Sequence, residues 1–148
     1  MQLSRESRVL AGILLLALVA VESGGVYLVR VVGGSVQLTD FQLGFARAGH
    51  AHAGVLLILS LVALLYADAI RLSGLAGALA RRCVPIAAIL MPAGFFAASA
   101  GDGRTGPNGF VVLLFLGGLS LACGLIALGV SLLRSRDQST VDTADTVV

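Results

Sequence analysis

The segment FARAGHAHAGVLLILSLVALLYAD, Phe45–Asp68, decides the fold. From Ala48 to Ala67 it carries no acidic or basic residue other than two histidines. A helix rises 1.5 Å per residue, so about 20 apolar residues cross the hydrocarbon layer of a bilayer. This stretch therefore predicts a transmembrane helix. Three further segments predict spans of similar length: Val9–Val32, Cys83–Ala100 and Phe110–Leu133.

Composition agrees. Of 148 residues, 57% are hydrophobic and only 12% are charged, with a mean hydropathy of +0.99. Soluble domains carry about 25% charged residues, so this chain lacks the polar surface that water requires. The net charge of +2 gives no footing for nucleic acid. The expected fold class is all-α, a four-helix transmembrane bundle in one domain over residues 1–133. Residues 134–148, RSRDQSTVDTADTVV, predict a disordered polar tail.

The first segment follows Arg5 and Arg8 as a signal peptide would, but its apolar run resumes beyond Ser23. It is expected to remain as an uncleaved span. Arginines set the orientation. Four spans place both ends and the second loop on one side, with Arg5, Arg8, Arg71, Arg81, Arg82, Arg134 and Arg136. The other side holds Arg30, Arg47 and Arg104. This asymmetry predicts a cell-membrane protein with both termini cytoplasmic.

Local signals refine the helices. Thr39 and Gln42 have capping-box spacing, so the second helix is expected to begin near Asp40. Phe41 and Phe45 then share a face. Pro85 is expected near the start of the third helix, and Pro92 within it. Small residues four apart, such as Gly118 and Ala122 or Ser120 and Gly124, let helices approach closely in lipid. Cys83 and Cys123 make no metal or redox spacing and are expected to be buried small hydrophobes. Asp68, Arg71, Arg81 and Arg82 predict a cluster that anchors a loop at the lipid head groups.

The candidate site is drawn from residues that are costly in lipid. Glu22 lies deep in the first span, and ionisable groups at such depth are functional candidates. His50 and His52 are the chain's only histidines. Two residues apart on a helix, they point about 200° apart. They cannot both ligate one metal from a regular helix, unlike the four-residue spacing of H-E-x-x-H. Arg47 lies one turn before them, where it would pair with Glu22 or with a cofactor carboxylate. The expected site is Glu22, Arg47, His50 and His52. The histidines are the metal or haem ligands in that reading, with Met91 a further axial candidate.

Two resemblances bear on this. GHAHAG, Gly49–Gly54, locally resembles the H-x-H helix of haem-copper oxidase catalytic subunits. In that family the two histidines face opposite ways and each ligates a different haem. Those subunits have about twelve spans and further histidines that this chain lacks. Over a larger part, TDFQLGFARAGHAHAGVLLILSL (39–61) and PIAAILMPAGFF (85–96) resemble a group of small four-span bacterial membrane proteins. That resemblance implies the fold and no activity.

Three readings stay open. One is an accessory or partner-binding subunit whose His/Glu site takes a haem or metal. Another is a proton-linked or solute-conducting oligomer using Glu22, His50, His52, Asp102 and Arg104. The third is a purely structural membrane protein. The partners implied are the bilayer, and a second copy or a larger membrane complex. No P-loop or G-x-S-x-G occurs, and no Ser–His–Asp relay lies at one depth, so a non-enzymatic role is expected.

Overall fold

The computed structural model describes residues 2–144, with side chains as far as Ser135. It contains four long helices: α1 (Arg5–Val32), α2 (Asp40–Ala69), α3 (Gly74–Ala98) and α4 (Val112–Ala144), the last entered through a 3₁₀ turn at Gly109–Val111. Each is long and apolar enough to cross a membrane. No strand occurs among the described residues. The segment expected to be a disordered tail is helical to Ala144, and 145–148 lie outside the described residues.

The helices form an open arc. α3 is central, packed on α2 and α4, while α1 packs chiefly on α2. The seam of α1 is read from its own sequence. Ser7, Leu10, Leu14, Ala17, Val21, Gly24, Leu28 and Val31 are among its buried or half-buried positions and follow alternating steps of three and four, with Ala11, Leu18 and Gly25 beside them. That step pattern keeps one face turned to a neighbouring helix. Leu14 joins Leu56, Leu57 and Leu64 of α2 and Ala88 of α3 in one apolar cluster. Leu16, Val19 and Val29 point outward, as do Phe115, Leu119 and Ile126 of α4. Such an exterior suits hydrocarbon.

α3 and α4 approach through glycines. A Cβ on Gly94 would lie 3.0 Å from the backbone nitrogen of Leu114, and one on Gly124 would lie 2.9 Å from Cγ2 of Val84. Ser120 donates to the Cys83 carbonyl at 2.8 Å. Gly118, by contrast, faces open space, so it is Gly117 and Gly124 that form the α4 side of the seam. Cys123, expected to be buried, is exposed on α4, one residue off that seam.

Two further expectations are corrected. α3 begins at Gly74, ahead of the expected span start at Cys83. Pro85 therefore sits three turns inside the helix rather than at its start. The residues GLAGALARR, 74–82, are rich in glycine and arginine and read as loop. They are helical, as their Leu, Ala and Arg favour, and Arg81 has a buried partner on α2, described below.

At one end of the bundle the capping box forms as expected. Thr39 accepts from the Gln42 amide, and the Gln42 side chain returns to the Thr39 amide. Gln42 does more than cap its own helix. Its Nε2 donates to the carbonyls of Ser99 at 3.1 Å and Gly101 at 2.7 Å. It thus satisfies carbonyls left free where α3 ends. The Thr39 hydroxyl donates to the Arg104 carbonyl. Asn108 reaches back to the Ala97 carbonyl at 2.8 Å. The 99–109 loop is thereby tied to the start of α2. Gln42→Leu is expected to cost roughly 1 kcal/mol per lost hydrogen bond. Amide exchange should speed up in residues 99–109 and stay unchanged in the middle of α4.

Candidate functional site

His50 and His52 lie eight and ten residues into α2 from Gln42. His50 is therefore about 12 Å along the axis from Gln42 and about 27 Å from Asp68 at 1.5 Å per residue. That places it in the half of α2 nearer the Gln42 end.

The two rings serve different neighbours. His50 lies against α1, where a Cβ on Gly24 would be 3.1 Å from its Nδ1 and one on Gly25 would be 3.6 Å from its Nε2. The glycine pair after Glu22 is what makes room for the imidazole. His52 lies against α3, with its ring centroid 4.9 Å from that of Phe95. Its Nδ1 is 2.8 Å from the Ala48 carbonyl. A carbonyl only accepts, so Nδ1 of His52 carries a proton. Phe45 also packs on Phe95, at 5.4 Å, and Phe41 on Phe45, at 4.3 Å. The opposed directions expected from the spacing are therefore present.

His50 borders a cleft of about 260 Å³ between α1, α2 and α3, lined by Ala20, Val21, Ser23, Gly24, Ala53 and Phe96. The imidazole is the main polar group facing an otherwise apolar space. Ligand pockets usually enclose about 300–1,000 Å³. A porphyrin, larger than most such ligands, would enter only if α1 moved away from α2. Among the described residues, no three His, Cys, Asp or Glu side chains are grouped to hold a metal ion. Met91 packs into the α3–α4 seam against Gly117, in the cluster shared with Leu64 and Ala88.

Glu22 and Arg47 are both exposed. The two ion pairs among the described residues, Arg81–Asp68 and Arg82–Glu6, involve neither of them. Their faces can be fixed. On α1, Ala20, Ser23 and Gly24 turn toward Phe96 of α3. At about 100° per residue, Glu22 falls on the opposite flank. On α2, Gly49 meets Phe95 and Phe96, and His50 meets α1. Arg47 then falls on the side away from α3. Glu22 and Arg47 share one outward flank, made by α1 and α2, while the histidines face inward. The four residues do not converge on one centre. Asp102 is exposed in the 99–109 loop, and Arg104 is spent within it, on the Gly106 carbonyl.

The polar centre whose burial sequence reasoning missed lies at the opposite end. Asp68 Oδ1 accepts from Nε and Nη2 of Arg81 at 3.1 and 2.7 Å. Its Oδ2 accepts from the backbone amide of Ser4, the N-cap of α1, at 2.8 Å. Arg81 also donates through Nη1 to the Leu72 carbonyl at 2.9 Å. Both residues are buried, at 8% exposure each. The cluster expected at the lipid head groups is in part an interior clamp on three helices. The carboxylate also sits at the positive end of α1, where an anion is favoured.

Against family models, curated proteins and solved structures the chain shows no match.

Proposed function

We propose that this chain is a multi-pass accessory subunit of a membrane assembly, docking through the α1–α2 flank that carries Glu22 and Arg47. The observation that carries this is Glu22. It lies seventeen residues into α1 from Arg5, faces away from the bundle and has no ion-pair partner among the described residues. A carboxylate facing hydrocarbon costs about 2.5–3.5 kcal/mol on insertion scales. Packing a neighbouring helix with a hydrogen-bond donor over it removes much of that cost.

The surroundings support close docking. Gly44 and Gly54 of α2 face open space, and Ala51 between them is exposed. Small outward residues let a second helix approach. Arg47, on the same flank, supplies the opposite charge. The arginine distribution supports both termini on the cytoplasmic side, so Glu22 lies in the outer half of the bilayer.

A haem or metal at His50 and His52 draws less support. The rings contact different helices, and no three metal-ligating side chains are grouped among the described residues. Conduction through one chain also draws little, since Glu22 faces outward and the interior hydroxyl of Ser60 is spent on the Leu56 carbonyl.

The test is the size of the particle extracted from native membranes in lipid nanodiscs without detergent. Wild type is expected in particles holding more than one chain, of its own kind or another. Glu22→Leu should release single chains that keep their helicity. Wild type found as a single chain would overturn the proposal, and so would a Glu22→Leu chain that stays fully assembled.

A further inference from the structure

A second feature lies at the Asp68 end, on the other side of α1. Because α1 packs on α2 and not closely on α3, a groove of about 800 Å³ opens between α1 and α3. Its walls are aliphatic, with Val9 of α1 facing Ile86 and Ile89 of α3. At its rim stand Arg5, Glu6 and Arg82. Val9 follows Arg5 by four residues, and Ile86 follows Arg82 by four. Each helix thus places an arginine about one turn ahead of an aliphatic side chain on the same face.

The rim carries two guanidinium groups and one carboxylate. Glu6 takes only Nε of Arg82, at 2.8 Å. That leaves the two Nη groups of Arg82 without a partner among the described residues, and Arg5 is exposed on the same rim. Guanidinium forks match phosphate oxygens. The polarity changes along the groove, from charged at the rim to fully apolar about one turn in. That gradient follows the membrane normal, as a lipid does and as a uniformly apolar partner helix does not.

We infer that the α1–α3 groove is a binding site for one anionic glycerophospholipid. Its phosphate lies on Arg5 and Arg82, and an acyl chain runs over Val9, Ile86 and Ile89. The site is separate from the Glu22 flank and does not rest on it. Its excess of positive charge selects an anionic head group over a zwitterionic one, with each arginine contributing about fivefold. Raised salt should weaken this preference, since the rim is exposed.

The experiment is native mass spectrometry of the full chain from mixed micelles holding equal phosphatidylglycerol and phosphatidylcholine. Wild type is expected to retain one phosphatidylglycerol in preference to phosphatidylcholine. The double variant Arg5→Gln/Arg82→Gln should lose that preference by roughly 25-fold. Ile89→Trp, which fills the groove below the rim, should lose retention of both lipids. Thermal unfolding of each variant shows whether it is folded. Equal retention of the two lipids by wild type would overturn the inference. A preference that survives both sets of substitutions in folded protein would do the same.

Discussion

Asp68→Ala is expected to destabilise the bundle by about 3–5 kcal/mol, because it leaves the Arg81 guanidinium buried without its counter-charge. Both partners are 8% exposed, and water entering the polar cavity lined by Gln2, Asp68, Ala69 and Arg71 replaces only part of the lost charge–charge attraction. The same change frees the Ser4 amide, which Oδ2 holds at 2.8 Å, and so loosens the entry of α1. Asp68→Asn keeps the shape and should fall between Ala and wild type. The double replacement Asp68→Leu/Arg81→Met removes both charges, and its cost should be much smaller than that of Asp68→Ala alone. The measurement is the unfolding midpoint in a mild detergent titrated with SDS. An Asp68→Ala chain with an unchanged midpoint would show that the clamp contributes nothing.

Gly124→Val should be the second large effect, with the opposite cause. A Cβ there meets Val84 Cγ2 at 2.9 Å, Cys83 Cβ at 3.1 Å and the Val84 backbone nitrogen at 3.2 Å. Val84 is fully buried, so the side chain has nowhere to turn, and the backbone contact is relieved only by moving α3 from α4. Overpacking of this kind costs about 1–3 kcal/mol. Separation also stretches the Ser120–Cys83 hydrogen bond. Gly118→Ala is the control, since no atom outside its own helix lies near the added methyl. It should be neutral or stabilising, by up to about 1 kcal/mol. The same SDS titration reads both variants. Equal losses at the two positions would mean that helix propensity, not the seam, decides.

The sequence alone determined the class of fold. Four apolar runs, few charges and the Thr39–Gln42 spacing give four long helices and the start of α2, because bilayer thickness and helix rise leave little freedom. It also determined that His50 and His52 face different neighbours, since a two-residue step on a helix allows nothing else. Periodicity is a local property and is legible in one chain. Tertiary structure decided which helices touch. It took Gly117 and Gly124, not Gly118, for the α4 seam, and set Glu22 on an outward flank away from the histidines. It also turned Asp68 and Arg81 from loop anchors into a buried clamp. Each of these depends on the rotation of one helix against another. That rotation is set by close contacts between segments far apart in the chain, and hydropathy averages them away.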